Sequence, residues 1–272
     1  MKVHLSGICG TAMASLAGLL REQGHAVTGS DQDVYPPMST QLERWGIEVM
    51  TPYRSENLER ARPDLVVVGN VVRAVNPEAA AMRDRGLPHV SFPQALGEAF
   101  IGPRHGVVVV GTHGKTTTSA MMGFLLHHAG RDPSFLVGGV TRDFDSNYRL
   151  GAGPHFAVEG DEYDTAYFDK GPKFLHYRPR TAIFNNLEYD HADIFPDIAA
   201  IRRQFHHLVR SVPGSGLLVV NGTDPELTET LKMGCWTPQE NFGDESGWQA
   251  ELLVPDGSRF RVLFQGKQQG SV

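Results

Sequence analysis

The chain has 272 residues, 40% of them hydrophobic and 21% charged, with a formal net charge of −6. That length suits two domains that each bury their own core, and an acidic balance without a basic run excludes a general nucleic-acid footprint. Cys9 and Cys235 stand far apart without metal-ligand spacing, no apolar run is long enough to span a bilayer, and the N-terminus lacks a secretory pattern. The expectation is a cytoplasmic protein in a reducing compartment, with neither nucleic acid nor membrane as partner.

From residue 2 to residue 100, short apolar strands at 3–6, 26–30, 47–50, 65–69 and 89–92 alternate with helical patterns, the rhythm of a parallel α/β sheet. Between the first two strands Ala14, Leu16, Ala17, Leu19 and Leu20 share one broad helical face, and Gly24 suits its stop. Residues 101–106 are rich in turn formers and place a boundary between domains 1–102 and 103–272. Strands at 107–110, 134–137, 155–159, 181–185 and 217–220 then predict a second parallel α/β core. Near the end, residues 248–255 and 258–264 flank Asp256-Gly257, a dipeptide suited to a tight turn, which predicts a C-terminal β-hairpin. Residues 270–272 read as a polar tail.

The segment with most chemistry follows the strand at 107–110: Gly111-Thr112-His113-Gly114-Lys115-Thr116-Thr117, running into a helix from about Lys115. Strand, glycine turn and helix N-terminus bring backbone N–H groups and a positive dipole end to phosphate oxygens, and Lys115 adds a full charge. The general pattern has four residues between its glycines. Here only Thr112 and His113 intervene, so the loop is a shortened variant. A glycine turn beside a chance Lys-Thr-Thr is the alternative, disfavoured by the strand and helix around it. By contrast, Gly7-Ile8-Cys9-Gly10 lacks the third glycine of a dinucleotide loop and merely suits an anion at a helix N-terminus.

Gly111 to Thr118 resembles the ATP loop of the Mur ligases, which join amino acids or peptides to UDP-muramoyl precursors. Val158-Glu159-Gly160-Asp161-Glu162-Tyr163-Asp164 resembles that family's acidic strand end, and Asn185-Asn186-Leu187-Glu188-Tyr189-Asp190-His191 its Asn-to-Asp-His segment, in the family's order. Residues 7–13, with Gly29-Ser30-Asp31, are similar to the uridine-nucleotide domain of the muramate-accepting branch, so the resemblance covers essentially the whole chain. It implies an N-terminal Rossmann-like parallel-sheet domain holding UDP-N-acetylmuramate, with Gly7, Cys9, Gly10, Thr11, Ala12, Ser30, Asp31 and Asn70 as substrate-binding candidates. A P-loop α/β central domain would follow, binding ATP through Gly111, Thr112, His113, Gly114, Lys115, Thr116, Thr117 and Asn186. Thr116, Glu159 and His191 are the implied Mg²⁺ ligands, and Lys115, Glu159 and His191 the implied catalytic set. Taken alone, His191 reads as a surface hydrogen-bonding residue, Asp161, Glu162 and Asp164 as a solvated acidic loop, and Asn186 as a turn residue. Several Mur ligases use a carbamoylated lysine at the metal site. Residues 202–207 contain no lysine, leaving His206 or His207 as substitutes or as ordinary packing residues.

Within the family, residues 163–170 and 173–180, with 35–40 and 205–210, resemble the branch that accepts the murein tripeptide L-alanyl-γ-D-glutamyl-meso-diaminopimelate in peptidoglycan recycling. The implied reaction is ATP-dependent amide formation at the muramoyl carboxylate through an acyl phosphate. Two rivals stay open: the L-alanine-adding branch, and a nucleotide-binding module without ligase activity. The family's third, C-terminal domain has no counterpart before Val272, so a truncated form that does not complete ligation efficiently alone is expected.

Overall fold

A computed structural model describes residues 1–190 and 195–272, and the predicted ligand His191 lies outside the described residues. The first sheet contains β1 Lys2–Ser6, β2 Ala26–Ser30, β3 Glu48–Met50, β4 Leu65–Val68 and β5 His89–Ser91. All five are parallel, in the order β3-β2-β1-β4-β5. Helices α1 Thr11–Glu22, α2 Met38–Arg44, α3 Ser55–Ala61 and α4 Pro77–Asp84 connect them. The start of α4 is written locally: Pro77 opens it, and the Asn76 side chain accepts N–H bonds from Glu78 and Ala79. The strand order reverses between β1 and β4, which puts a ligand crevice outside their carboxyl ends, where Gly7 and Asn70 lie.

Helix α5 Phe92–Leu96 and a π-helical turn, Gly97–Ile101, lead into the second sheet. Its elements are β6 His105–Val110, α6 Lys115–His128, β7 Ser134–Thr141, β8 Ser146–Arg149 and β9 His155–Glu159. A separate two-stranded hairpin, β10 Asp164–Ala166 with β11 Asp169–Pro172, precedes β12 Thr181–Phe184, α7 Ile198–Ser211, β13 Leu217–Asn221 and α8 Pro225–Lys232. The chain closes with β14 Gln239–Phe242, β15 Trp248–Leu252, β16 Phe260–Phe264 and β17 Lys267–Ser271. The sheet order is β17-β16-β15-β14-β13-β12-β6-β9-β7-β8. It is parallel from β15 to β7, but β8 at one edge and β16 and β17 at the other run antiparallel, so the second core is mixed rather than wholly parallel.

The C-terminal hairpin also differs from expectation. Its strands stop at Leu252 and resume at Phe260, because Pro255 lacks a backbone donor and Asp256 bends the chain by accepting the Ser258 N–H at 3.0 Å. The two-residue turn lies further on, at Gln265-Gly266, with φ of 49° and 71°, the positive pair a tight hairpin requires. That turn folds the expected tail back as β17, pairing Phe264 with Lys267.

One apolar core runs through both sheets. At the junction Tyr148 of β8 meets Trp45 edge-on, with centroids 5.4 Å apart, and fills the space left by Gly18 of α1. Beside it, Asn147 Nδ2 donates to Ser15 Oγ at 2.7 Å, both buried. The π-helical turn is equally tight: a methyl on Gly97 would overlap the backbone oxygen of His176. We expect Gly97→Ala to cost about 1–3 kcal/mol, since backbone must move to admit it. A shift in urea midpoint measures this, with Gly171→Ala, whose methyl meets nothing within 4 Å, as the near-neutral control.

Candidate active site

Strand β6 delivers the phosphate loop from the core: Val108, Val109 and Val110 are fully buried, and the chain turns sharply at Gly111. Gly111 (φ 151°) presses against Asn185 and Asn186, and Gly114 (φ 79°) caps α6, so neither position suits a side chain. Helix α6 begins without an acidic residue in its first turn and without a side-chain cap, which leaves its positive end open to an anion. Residues 185–188 brace the loop from behind. Asn186 accepts the His113 N–H at 2.8 Å and donates back to its carbonyl at 3.2 Å. Thr112 Oγ1 accepts the Glu188 N–H at 2.8 Å, and Asn185 donates to Thr118 Oγ1 at 3.0 Å. Lys115 Nζ donates to the Gly111 carbonyl at 2.7 Å and lies 3.6 Å from Glu162 Oε2. Thr117 stands exposed in the first turn of α6.

Thr116 Oγ1 donates to Glu159 Oε2 at 2.6 Å, uniting the helix start with the end of β9. Burial holds the Glu159 carboxyl above its ordinary range, and Asp161 adds to the rise, against the Thr116 hydroxyl, Lys115 and Lys173. Among the described residues no three His, Cys, Asp or Glu side chains cluster as a metal cage. The hydroxyl of Thr116 and the carboxylate of Glu159 are hard oxygens of the kind Mg²⁺ takes.

Of the rest of the acidic strand end only Asp164 is solvated, while Asp161 and Glu162 are shielded. Asp161 pairs with Lys173 at 2.8 Å, Asp164 with Lys170 at 2.7 Å, and Glu162 is 5% exposed. His206 is turned away, its Nε2 3.0 Å from the Gly234 carbonyl oxygen, whereas His207 lines a cavity of about 290 Å³ with Glu162, Lys170 and Gln204. A second cavity of about 610 Å³ adjoins the loop at Asn186, Leu187, Asn221 and Asp224.

The N-terminal candidates gather at the carboxyl ends of β1, β2 and β4. The Gly7 and Ile8 N–H groups donate to the Ser30 carbonyl at 2.8 and 3.1 Å, and the Cys9 N–H to Asp31 Oδ2 at 2.8 Å. Asp31 Oδ1 also accepts the Tyr53 hydroxyl at 3.0 Å. Gly10 and Thr11 begin α1, which has neither an acidic first turn nor a side-chain cap, and Ala12 follows them half-buried. Asn70 is exposed just past β4. Burial, reinforced by Asp31, pushes the Cys9 thiol up to about 11. At neutral pH its thiolate fraction falls roughly a hundredfold below that of a free cysteine. Cys9 should therefore react with iodoacetamide far more slowly than a model thiol, which peptide mapping of the alkylated chain measures.

Sequence reasoning passed over Gly138 and gave Asn185, though part of the Asn-to-Asp-His segment, no role of its own. A methyl on Gly138 would sit 2.5 Å from Glu159 Oε1 and 3.2 Å from Thr116 Oγ1, so this glycine makes room for both. Its signal was the Gly138-Gly139 pair inside an otherwise apolar strand, where glycine marks a close approach. Asn185 offered no spacing cue, since its partner Thr118 is remote in sequence.

A glycine loop at an uncapped helix start, a lysine folded over it, and a hydroxyl–carboxylate pair beside it define a nucleoside-triphosphate-binding α/β protein. Residues 2–102 match the family described as Mur ligase family, catalytic domain, and residues 109–268 match the Mur ligase middle domain. The chain belongs to the Mur ligase family. It is 48% identical over its whole length to UDP-N-acetylmuramate–L-alanyl-γ-D-glutamyl-meso-2,6-diaminoheptandioate ligase of Escherichia coli, of which it spans 59%. A solved ligase of the same description from Neisseria meningitides superposes with a TM-score of 0.94 at 48% identity, covering 99% of this chain and 86% of that one. The UDP-N-acetylmuramate–L-alanine ligase of Oleidesulfovibrio alaskensis is 33% identical over all of this chain and 58% of its own length.

Proposed function

We propose that the chain binds UDP-N-acetylmuramate in domain 1–102 and ATP in domain 103–272, and phosphorylates the muramoyl carboxylate for attachment of L-alanyl-γ-D-glutamyl-meso-diaminopimelate. The observation that carries this is the buried link between the two loops. Thr11 at the first loop accepts the Ser15 hydroxyl at 2.8 Å, and Ser15 accepts Asn147 of β8. The neighbouring strand β7 supplies Gly138 against Thr116 and Glu159 of the second loop. The helix that follows the first loop and the strand that abuts the second are thus tied to one another through β8. The tripeptide is favoured over L-alanine because relatives named for the tripeptide are 48% and 45% identical, against 33% for one named for L-alanine.

A carboxylate needs a leaving group before an amine can displace it. The muramoyl carboxylate oxygen attacks the γ-phosphorus, the bond to the β-phosphate oxygen breaks, and ADP leaves an acyl phosphate. The peptide amine then adds to the acyl carbon, loses a proton, and expels inorganic phosphate. The protein contributes positioning and neutralisation of clustered charge. The N–H groups of Gly114 to Thr117 at the open start of α6 would hold phosphate oxygens, Lys115 places a cation beside them, and the Asn186 clamp on His113 keeps the loop in shape. Thr116 and Glu159 would hold Mg²⁺, which neutralises phosphate charge when bound. Dependence on ATP and a UDP-linked precursor supports a cytoplasmic reaction; separately, no described helix is long and apolar enough to cross a membrane.

Incubating the chain with ATP, Mg²⁺ and UDP-N-acetylmuramate should release ADP only when the precursor is present. In a chain extended to the length of its relatives, phosphate release should respond to the tripeptide and not to L-alanine. ADP release indifferent to the precursor would instead favour a nucleotide-binding module, and a response to L-alanine alone would favour the other branch.

A further inference from the structure

Beneath the first glycine loop lies a buried polar cluster that the proposed chemistry does not use. Its hub is Glu78, the second residue of α4 and 1% exposed. Glu78 Oε2 accepts the Ser6 hydroxyl at 2.8 Å and the Ser30 hydroxyl at 2.5 Å, and Oε1 accepts Asn57 Nδ2 at 2.6 Å. His4, fully buried, brings Nε2 to 3.6 Å from Oε2, with its Nδ1 3.0 Å from Thr28 Oγ1. One carboxylate therefore ties together β1, β2, α3 and α4, the elements around the crevice at the sheet's switch point. Burial alone would raise its carboxyl, yet the hydrogen bonds from His4, Ser30 and Asn57 hold it below the ordinary range, so it stands ionised.

The cluster reaches the loop through Ser30. The Ser30 hydroxyl is fixed by Glu78, while its carbonyl accepts both the Gly7 and Ile8 N–H groups. The next residue, Asp31, accepts the Cys9 N–H. The path of the glycine loop is thus set by the end of β2, and the end of β2 is set by Glu78. An apolar core would have closed this sheet equally well, since a buried ionised group is a poor source of stability in itself. What the carboxylate adds is direction: three donors converge on two oxygens and fix a single arrangement of the strand ends.

We infer that Glu78 is a positioning residue for the UDP-N-acetylmuramate site, acting through Ser30 on residues 7–10 without touching the ligand. This rests on the assignment of that precursor to the N-terminal crevice. Glu78→Gln retains the size and one acceptor oxygen but cannot accept from Ser6, Ser30 and Asn57 together. It should bind UDP-N-acetylmuramate about tenfold more weakly by titration calorimetry. Affinity for ATP with Mg²⁺ at the other loop should not change. Val66→Ala, in the apolar cluster beneath α4, lowers stability without removing any polar group of the network and should leave both affinities unchanged. Ser30→Ala, which removes only the hydroxyl link, should reproduce the Glu78→Gln loss and serves if that variant does not fold. Equal precursor affinity in the wild type and the folded variants overturns the inference, as does a parallel loss in Val66→Ala or in ATP affinity. A wild-type chain that does not bind UDP-N-acetylmuramate at all fails the site assignment instead.

Discussion

Lys115→Ala should weaken ATP binding by roughly a hundredfold, about 3 kcal/mol, while leaving UDP-N-acetylmuramate binding unchanged. The ammonium is already held above the loop by the Gly111 carbonyl at 2.7 Å and by Glu162 at 3.6 Å, so little ordering remains to be supplied when phosphate arrives. Both side chains are largely shielded, at 11% and 4% exposure, which keeps water from screening the charge. Lys115→Arg should not rescue. A planar guanidinium is wider than an ammonium and cannot take the same place between the Gly111 carbonyl and Glu162. Calorimetric titration of each variant with ATP and Mg²⁺ measures the effect, with the UDP precursor as internal control. Wild-type affinity in Lys115→Ala would remove the phosphate loop from the nucleotide site.

Much of this arrangement could be read from the chain because its signals are local. The β6–loop–α6 unit is carried by four valines, two glycines at positive φ and a run of helix formers, all within about one supersecondary unit. The alternating rhythm of the first sheet is likewise local, whereas its strand order is not written in any one segment. The second sheet's edges were hidden. Strand β8 is Ser146–Arg149, polar at both ends, and it is ordered by Tyr148 entering the space at Gly18 and by Asn147 meeting Ser15, contacts more than a hundred residues away. Strand β17 carries Lys267, Gln268 and Gln269, with no apolar alternation, and is held by the Gln265-Gly266 turn and its pairing with β16. Site residues divide in the same way. Lys115 and Thr116 declare themselves by position after a glycine, whereas the standing of Asp161 and Glu162 depends on Lys173 and Lys115, which only the fold brings to them. The Glu78 cluster gave no sequence cue beyond an Asn-Pro-Glu helix start, because its four partners come from three other elements, β1, β2 and α3.

Glu159→Gln should make the metal-free chain more stable at neutral pH and at the same time abolish the stabilisation conferred by Mg²⁺ with ATP. Burial raises the Glu159 carboxyl above its ordinary value, with Asp161 adding to it, so the folded protein holds that proton more tightly than the unfolded chain does. The group's contribution to stability is therefore fully present below the unfolded carboxylate value and lost as pH rises through the higher folded one. At neutral pH the ionised, half-buried carboxylate costs the fold stability. Glutamine removes that charge yet keeps an oxygen to accept from Thr116. The melting temperature of Glu159→Gln should accordingly exceed that of the wild type near neutral pH, and the gap should close as pH falls through the raised Glu159 transition, below which the native glutamic acid is itself protonated. A bound dication reverses the balance. The wild-type carboxylate then faces a positive partner, whereas the amide is a weak ligand, so Mg²⁺ with ATP should raise only the wild-type melting temperature. Protons and metal compete for the same oxygens, and Mg²⁺ affinity should climb as pH rises through the Glu159 transition. Thermal melts of both proteins, with and without Mg²⁺ and ATP, at neutral and acid pH, separate the two halves of the prediction. A metal-free variant that melts below the wild type at neutral pH refutes the cost assigned to the buried carboxylate. Equal stabilisation of both proteins by Mg²⁺ with ATP removes Glu159 from the metal site.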